Sequence, residues 1–288
     1  MRVYAGLLLA LVGTAALLGV RLAAAPTAAG YRHAIAAAPD GGLYDADPER
    51  GLVLAAPDGG SAVVGRLPAG LPLALAADRQ RLLLGTDRGL FQSADGGSHW
   101  VASAVAQGRY PAVWVRGGLG LAGAWGGRLW RTLDAGATWE AMPVPGGDAE
   151  YQVVAVSNAV IYAASLGQVT RSFDGGRAWQ RTGLPARVTA LEAQGDEVLA
   201  ATWEGRLYSI DPAGGISTRP RIAAGVWALA AGTAATADGL QGLHGTPLDH
   251  REVTALVSAG SALYAGVARG PLYVSGDGGR SWRQVRQG

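Results

Sequence analysis

The stretch SADGGSHW, from Ser93 to Trp100, brings together residue types that could perform acid catalysis. A positioned aspartate is one of the groups that enzymes use as a general acid, a general base or a nucleophile. The same form recurs in TLDAGATW from Thr132, SFDGGRAW from Ser172 and SGDGGRSW from Ser275. Because the pattern Ser/Thr-x-Asp-x-Gly-x-x-Trp occurs four times, we interpret it as a repeated structural element and not as one active site.

A tight turn explains each residue type in this pattern. An aspartate in a turn accepts hydrogen bonds from nearby backbone N–H groups, and glycine adopts the positive φ that other residues avoid. The tryptophan is large enough to pack between neighbouring sheets. The residues predicted to have this structural role are Ser93, Asp95, Gly97, Trp100, Thr132, Asp134, Gly136, Trp139, Ser172, Asp174, Gly176, Trp179, Ser275, Asp277, Gly279 and Trp282.

The elements that hold these turns follow from their spacing. The repeated aspartates lie at positions 95, 134, 174 and 277, so the first intervals are 39 and 40 residues. Degenerate copies around Asp58, around Asp211 and at Leu243 to Thr246 complete seven units. Each unit contains short apolar runs separated by glycine-rich turns, which is typical of strands. The sequence predicts an all-β protein, a seven-bladed β-propeller of four-stranded antiparallel blades over residues 31–288.

Composition narrows the possible functions. The chain has 288 residues, of which 45 are glycine and none is cysteine. Disulfides, thiolate metal sites and thiol nucleophiles are therefore excluded. All basic residues apart from histidine are arginine, but the net charge is only +2. This balance is too weak to indicate nucleic-acid binding, and we predict no nucleic-acid partner.

The first 22 residues are predicted to target the protein to a membrane. Residues 3–20 carry no charge and lie between Arg2 and Arg21. This run is longer than most secretory signals and slightly shorter than most spanning helices. We predict a hydrophobic helix in residues 1–22, acting as a signal anchor or a signal peptide, and a short tether in residues 23–30. Cleavage after Ala25 or near Ala29 stays open, and an uncleaved anchor is favoured. The remainder is expected outside the cytoplasm, anchored to the inner membrane or secreted.

The repeated turn resembles the Asp-box, or bacterial neuraminidase repeat. Sialidases, sortilin-type receptors, some glucanases and the photosystem II stability/assembly factor propellers share this repeat. Seven short blades with LY-x-x-x-DGG-x-(S/T/A)-W are most similar to the last group and its non-photosynthetic relatives. The resemblance covers residues 31–288 and implies the sialidase-like propeller fold. It does not fix a function, because this fold hosts enzymes, receptors and assembly factors.

Other motifs have weaker support. Gly118, Gly120 and Gly123 match G-x-G-x-x-G, but this sequence lies in a strand–turn–strand unit, and a dinucleotide site needs a following helix. The segment DADPERG from Asp45 lacks the glycine and glutamate of a calcium loop. The histidines, at positions 33, 99, 244 and 250, have no metal-ligand spacing. We predict no cofactor, no metal site and no catalytic residue.

A glycoside hydrolase is the enzyme class left open. The Phe/Tyr-Arg-Ile-Pro segment that resemblance to sialidases implies is absent after the leader, and RPRIA at Arg219 is displaced and altered. Glycoside cleavage generally needs two positioned acidic groups. Tyr151 and Glu204 are conceivable members of a tyrosine–glutamate pair. A sialidase-like glycosidase or a carbohydrate-binding propeller is therefore the alternative function.

Arginines identify a candidate binding face. In a four-stranded blade, the loops between strands two and three and the loops between blades emerge opposite the repeated turns, and such loops commonly carry function. Arg50, Arg88, Arg128, Arg206 and Arg269 fall in the first set of loops, Arg109, Arg187, Arg221 and Arg251 in the second, and Trp125 and Trp203 lie beside them. We expect a monomeric, non-enzymatic scaffold that binds an acidic protein segment or a membrane-complex subunit, and that contacts the membrane through its N-terminal helix.

Overall fold

The computed structural model describes residues 33–286, except 106, 127, 144–150, 158–159, 166–167, 185–186 and 242–245. The predicted leader and tether lie outside the described residues. Within the described residues, no helix is long and apolar enough to cross a membrane. The chain there consists of strands and the turns that connect them.

Seven antiparallel sheets follow one another along the chain. Blade 1 contains β1 (Ile35–Ala37), β2 (Leu43–Asp47), β3 (Gly51–Ala55) and β4 (Ser61–Gly65), and blade 2 contains β5 (Pro72–Asp78), β6 (Arg81–Thr86), β7 (Leu90–Ser93) and β8 (Val101–Ala102). Blade 3 contains β9 (Ala112–Arg116), β10 (Leu119–Gly123), β11 (Leu129–Thr132) and β12 (Glu140–Met142), and blade 4 contains β13 (Tyr151–Ser157), β14 (Val160–Ser165), β15 (Gln168–Ser172) and β16 (Gln180–Arg181). Blade 5 contains β17 (Val188–Gln194), β18 (Glu197–Thr202), β19 (Leu207–Ile210) and β20 (Ile216–Arg219), and blade 6 contains β21 (Ala228–Ala230), β22 (Thr233–Thr236) and β23 (Gly239–Leu240). Blade 7 contains β24 (Val253–Ala259), β25 (Ala262–Val267), β26 (Leu272–Ser275) and β27 (Arg283–Gln284).

This architecture confirms the predicted seven-bladed, all-β propeller. Six blades have four strands, and blade 6 shows three among the described residues. The first strands of successive blades contact one another around a closed ring, and β24 contacts β1. Strand direction alternates within each blade, so the turns between strands one and two share a face with those between strands three and four. The remaining loops emerge on the opposite face.

We name the two faces for the residues that distinguish them. The box face carries the repeated turns at residues 93–100, 132–139, 172–179 and 275–282. The arginine face carries the loops between strands two and three and the loops between blades. Its predicted arginines are Arg50, Arg88, Arg109, Arg128, Arg187, Arg206, Arg221, Arg251 and Arg269, and Arg66 also lies there, in the loop between blades 1 and 2.

The core lies between adjacent blades. Second strands such as β6 and β18 read as continuous apolar runs because a neighbouring blade covers each of their sides. Leu82 and Leu84 of blade 2, for example, pack against Leu52 of blade 1. Leu121 of blade 3 packs against Ile161 of blade 4 in the same way. Burial of these side chains, and not hydrogen bonding between blades, is the main force that stacks the sheets.

Among the described residues, blades 1 and 7 close the ring without exchanging a strand. The Tyr264 hydroxyl donates to the Gly41 carbonyl at 3.2 Å, and the Arg286 backbone N–H donates to the Gly59 carbonyl at 2.8 Å. Arg283 also donates to the carbonyl of Pro57. Each blade consists of consecutive strands, so side-chain packing and these few hydrogen bonds are what join the two ends of the described chain.

A buried histidine strengthens this closure on the arginine face. The His33 side chain lies 3.0 Å from Asp45 through Nδ1 and 3.0 Å from the Gly270 carbonyl through Nε2. Burial lowers the pKa of His33, but the hydrogen bond and charge of Asp45 outweigh it, helped by Gly270, and raise the pKa above the ordinary 6.5. The protonated ring can donate to both partners. This contribution to stability is present below pH 6.5 and is lost as the pH rises through the raised pKa.

Candidate functional site

The repeated turns of the box face share one hydrogen-bond pattern. Ser93 Oγ donates to Asp95 Oδ1 at 2.8 Å and accepts the Gly97 N–H at 2.8 Å. Asp95 Oδ1 also accepts the His99 N–H at 3.0 Å. The same contacts recur, within 2.7–2.9 Å, in the turns that begin at Thr132, Ser172 and Ser275. All four carboxylates therefore bind their own turns.

These hydrogen bonds make the carboxylates strongly acidic. The Thr138 hydroxyl, followed by the Thr138 N–H, lowers the pKa of Asp134 from the ordinary 3.8 to about 2. The pKa of Asp95 is lowered mainly by the backbone N–H of His99, and the pKa of Asp277 mainly by the hydroxyl of Ser281. A general acid must hold its proton near the working pH. The turn aspartates are therefore poorly suited to donate one at neutral pH.

The four tryptophans of the turns pack between blades. Trp100 packs against the cluster shared by blades 1 and 2, and Trp179 against the cluster shared by blades 3 and 4. Trp139 packs beside Leu90 and Ala122, and Trp282 joins the core between blades 6 and 7. The indole N–H of Trp179 donates to the Gly176 carbonyl at 3.0 Å. The turn is therefore both a local structure and a contact between neighbouring sheets.

Sequence reasoning missed a second contact made by these turns. Gln92 donates to the Gly136 carbonyl of the next blade at 3.0 Å, and Arg131 donates to that of Gly175. Arg171 donates to the Ala213 carbonyl at 3.1 Å. These three side chains stand immediately before the Ser or Thr that begins a turn. A polar residue at that position was the signal that could have identified them.

The degenerate turns keep only part of the pattern. Asp58 Oδ1 accepts the Gly60 N–H at 2.8 Å, and Asp211 Oδ1 accepts the Gly215 N–H at 2.7 Å. Ser209 donates to Glu197 instead of to Asp211. The segment at Leu243 to Thr246 lies outside the described residues except for Thr246. Local Asp-to-backbone hydrogen bonds are thus retained where the Ser/Thr hydroxyl is lost or redirected.

The structure shows in which strands and turns the weaker sequence motifs lie. Gly118 is in the turn after β9, and Gly120 and Gly123 are in β10, which leads into a further strand. In DADPERG, Asp47 Oδ1 accepts the N–H groups of Glu49 and Arg50 at 2.8 and 3.0 Å, as in a hairpin turn. Among the described residues, no cluster of three or more acidic or histidine side chains could hold a metal ion.

The arginine face exposes cations that have no carboxylate partner in the structure. Five of its predicted arginines are exposed and take part in neither an ion pair nor a side-chain hydrogen bond among the described residues. They are Arg88, Arg128, Arg187, Arg206 and Arg269. These guanidinium groups keep their planar donors available to a ligand.

The backbone that presents two of these arginines is fixed by threonine. Thr86 ends β6, and its hydroxyl accepts the Arg88 N–H at 3.1 Å. Thr202 ends β18 and accepts the Arg206 N–H at 3.2 Å. The two loops are therefore held in place at the backbone while the guanidinium groups stay exposed. Such preorganisation lowers the entropy lost when a partner binds.

Other predicted arginines of this face support its loops. Both Nε and Nη2 of Arg221 donate to the Glu204 carbonyl, at 3.2 and 2.9 Å. Arg251 Nη1 lies 3.4 Å from the Tyr273 hydroxyl. Arg109 stacks over Trp125 with its guanidinium carbon 4.2 Å from the ring centroid, and Arg50 is half-buried. These side chains order the face more than they extend from it.

Carboxylates on the arginine face are largely engaged within it. Asp87 Oδ1 accepts the Leu71 N–H at 2.7 Å. Asp238 pairs with His250 at 3.0 Å, and Asp45 with the buried His33. Glu204 is exposed. Because these carboxylates already have partners, more guanidinium groups of this face are available to a ligand than the numbers of its acidic and basic residues would suggest.

A pair of aromatic rings lies on the same face. The ring centroids of Trp203 and Trp227 are 4.6 Å apart, with the planes at 70°. This edge-to-face arrangement is favourable for aromatic side chains. Trp227, which immediately precedes β21, was not among the residues predicted for this face. Both rings are only partly buried, so they offer apolar surface beside Arg206.

The centre of the arginine face is lined mainly by apolar residues, but His33 and Thr254 also line it and about half of the exposed lining surface is polar. A cavity of about 290 Å³ lies where the inner strands begin. Its lining includes Leu73, Pro111, Ala228 and Val257. Because the inner strands start on the arginine face, this mouth of the central channel opens there. A pocket lined mainly by apolar residues is therefore surrounded by loops that expose guanidinium groups and tryptophan rings.

Comparison with known proteins identifies the fold and no family. No protein-family model matches this chain, and no curated protein matches it. The computationally designed Ika8 protein is 16% identical, with a TM-score of 0.63 over 89% of this chain and 87% of that chain. YCF48 bound to D1 peptide is 20% identical, with a TM-score of 0.58 over 72% and 78%. The extracellular domain of BT4673 from B. thetaiotaomicron is 15% identical, with a TM-score of 0.65 over 86% and 39%. Identities this low show the shared propeller fold alone.

Proposed function

We propose that the protein is a non-enzymatic scaffold whose arginine face binds an acidic segment of another protein. The observation that carries this proposal is the channel mouth of about 290 Å³, lined mainly by apolar residues, on a face where five of the predicted arginines are exposed and take part in neither an ion pair nor a side-chain hydrogen bond among the described residues. A segment with carboxylates around an apolar side chain is complementary to it. The carboxylates would bind arginine, and the apolar side chain would enter the mouth.

The chemistry of the face favours such a partner. Arginine binds carboxylates through two parallel N–H groups, so each contact has a defined geometry. Trp125 and Trp203 add flat apolar surface, and tryptophan and arginine are enriched at the residues that dominate interface energies. The loops of Arg88 and Arg206 are already held by threonine. The partner would therefore meet an ordered surface.

The repeated turns and the neighbouring structures agree with this proposal. We propose that the turns are Asp-boxes and that the protein is related to the assembly-factor propellers. YCF48, which has the same fold, has been solved with a D1 peptide bound. A propeller of this architecture can thus hold a peptide. For this chain, we propose a subunit of a membrane complex as the source of the acidic segment.

The proposed membrane anchor would hold one particular face of the propeller near the membrane. Residue 33 precedes β1, which begins on the arginine face. A tether of residues 23–30 would extend by at most about 28 Å. If residues 1–22 are an uncleaved anchor, the arginine face is held close to the outer surface of the membrane. Membrane fractionation with mass measurement of the mature N-terminus tests this, and a soluble product that begins near Pro26 or Gly30 would contradict the anchor.

Charge reversal tests the docking proposal. A short labelled peptide of glutamates flanking one leucine is titrated with the protein, and fluorescence anisotropy is followed at low and at high salt. Arg128→Glu combined with Arg206→Glu should weaken binding at least about tenfold and remove most of its salt dependence. Arg177→Glu combined with Arg280→Glu is the matched control on the box face and should leave binding unchanged. Unaltered binding by the first variant would refute the proposal.

A carbohydrate-directed function is the second candidate. The observation in its favour is that Trp203, which contacts Trp227, is followed in the chain by the exposed Glu204, since aromatic rings and a carboxylate can together hold a sugar. Tyr151, the residue that the sequence analysis pairs with Glu204, is the first residue of β13. The side chain of Tyr151 lies outside the described part of the chain. Release of sialic acid from a sialoside by the purified protein, lost in Glu204→Gln, would favour this candidate over docking.

A further inference from the structure

A second cleft lies on the box face, between blades 2 and 3. Its volume is about 890 Å³. The turn at residues 79–80, which joins β5 to β6, forms one wall, and the turn at residues 117–118, which joins β9 to β10, forms the other. Ala94, Asp134 and Ala135 from the repeated turns complete the lining. The cleft is on the face opposite the docking surface and does not depend on it.

Hydrogen bonds between the two blades fix its walls. The Gly117 N–H donates to Asp78 Oδ2 at 2.5 Å. Arg81 Nη1 donates to the Gly117 carbonyl at 3.3 Å. The Gly96 N–H donates to the Gln80 carbonyl at 2.8 Å, which ties the first wall to the repeated turn of its own blade. The cleft is therefore formed before any ligand enters.

Three guanidinium groups line this cleft. Arg79, Arg81 and Arg116 are all exposed, and the ion pairs found in the described part of the chain include none of them. The two carboxylates of the lining are engaged, Asp78 by Gly117 and Asp134 by its own turn. Most guanidinium N–H groups thus have no partner within the cleft. They come from two adjacent hairpins that other contacts hold together.

Arg79 occupies a backbone position that does not suit it. It has φ 56°, in the left-handed region that residues with a Cβ avoid. The first residue of the corresponding turn is Gly117, Gly195 or Gly260 in three other blades, with φ of 57–59°, and Ala231 in blade 6. A strained backbone that places a charged side chain in a cleft is a reason to look for a ligand.

We propose that this cleft binds a compact oxyanion that carries two or three carboxylate or phosphate groups. Several guanidinium groups at one cleft match several anionic groups on one ligand, because each can bind a carboxylate or phosphate through two N–H donors. No aromatic ring lines the cleft, so it has no stacking surface for a sugar or a base. Its size is in the range of small-molecule sites.

Two anions distinguish the possible sources of these groups. Citrate represents a polycarboxylate, and pyrophosphate represents a phosphate ligand. Each is titrated calorimetrically into the full chain at constant ionic strength, with chloride as the reference. Tighter binding of citrate supports a carboxylate ligand, and tighter binding of pyrophosphate supports a phosphate ligand. If neither binds more tightly than chloride, the proposal is overturned.

Substitution of Arg79 locates the site. Arg79→Gly removes one guanidinium and restores the residue type that this turn has in other blades. We expect affinity to fall about tenfold or more, while the melting temperature of the unliganded protein stays the same or rises. Arg116→Gln should weaken binding similarly. Arg280→Ala, in the exposed turn of blade 7, is the matched control and should bind as the parent does. Undiminished binding by Arg79→Gly, or equal loss in Arg280→Ala, would overturn the proposal.

Discussion

The repeated aspartates of the box face and the exposed arginines of the arginine face use charge in opposite ways. On the box face, each repeated aspartate accepts hydrogen bonds from its own turn and from the adjacent hydroxyl. On the arginine face, five of the predicted arginines are exposed and take part in neither an ion pair nor a side-chain hydrogen bond among the described residues. Charges that satisfy themselves locally stabilise the fold, whereas charges left exposed are available to another molecule.

The two faces also differ in regularity. The repeated turns have one length and one hydrogen-bond pattern because each closes the same pair of strands. The loops between strands two and three vary from residues 237–238 in blade 6 to residues 124–128 in blade 3. What every blade needs for folding is repeated, and what differs between blades can give specificity. Four predictions test this division.

The largest effect is expected from the packed glycine of a repeated turn. Gly97 has φ 91°, and a Cβ there would lie 2.0 Å from Cδ2 of the buried Leu52. Gly97→Ala should lower the free energy of unfolding by about 2–4 kcal/mol, through backbone strain and overpacking together. Urea denaturation measures this loss.

The matched control for Gly97 is on the arginine face. Gly126 has φ 93°, but a Cβ there would meet nothing within 4 Å. Gly126→Ala should lower the free energy of unfolding by only about 1 kcal/mol, since backbone strain is the sole penalty. Equal losses in the two variants would contradict the distinction between a packed face and an open one.

The second largest effect is expected from a buried hydroxyl. Ser275 Oγ donates to Asp277 and accepts the buried Gly279 N–H at 2.8 Å. Ser275→Ala leaves that N–H without an acceptor, so the free energy of unfolding should fall by about 1–3 kcal/mol. The exposed Ser281 hydroxyl also donates to Asp277, and Ser281→Ala should cost less. Urea curves that show the same loss for both would count against the role of the buried hydroxyl.

A smaller effect is expected in acid. The pKa of Asp134 is lowered from 3.8 to about 2 by Thr138 and Thr132, so its contribution to stability is present above pH 3.8 and is lost as the pH falls through about 2. The melting temperature of the parent protein should fall more steeply than that of Asp134→Asn between pH 4 and pH 2. Parallel curves for the two proteins would show that the carboxylate is not stabilised by its turn.

The smallest effect on stability is expected from the exposed arginines. Arg88→Ala and Arg206→Ala remove side chains whose loops are held by backbone N–H groups to threonine. The free energy of unfolding should change by less than about 0.5 kcal/mol, as for most exposed positions. Differential scanning calorimetry checks this. A loss well above 1 kcal/mol in either variant would mean that the arginine face is structural too.

Structural features that depend only on neighbouring residues could be predicted from the sequence. A repeated turn lies within eight consecutive residues, so its Ser, Asp, Gly and Trp positions could be interpreted without knowledge of the rest of the chain. Counting such turns, with their degenerate copies, was enough to predict seven blades. The positions of Arg128 and Arg206 on one face followed from strand alternation alone. The reason is that turn chemistry and strand period both depend on near neighbours in the chain.

Contacts between blades could not be predicted in the same way. His33 meets the carbonyl of Gly270 across 237 residues, because the first and last blades are adjacent only once the ring has closed. Trp203 meets Trp227, and the cleft of Arg79 and Arg116 combines two hairpins. Such pairs depend on how far one sheet is rotated relative to the next, and a repeated turn does not specify that angle.

Closure of the ring without strand exchange has a consequence for how such a chain can arise. Because every blade is a run of consecutive strands, a break in any loop between blades leaves each sheet intact. Duplication or recombination of a gene segment that encodes one blade can therefore add, remove or reorder whole units, and a circularly permuted chain would keep the same strand pairings. Each unit can then depart from the turn motif independently, as the segment around Asp211 does while blade 4 before it keeps the full motif.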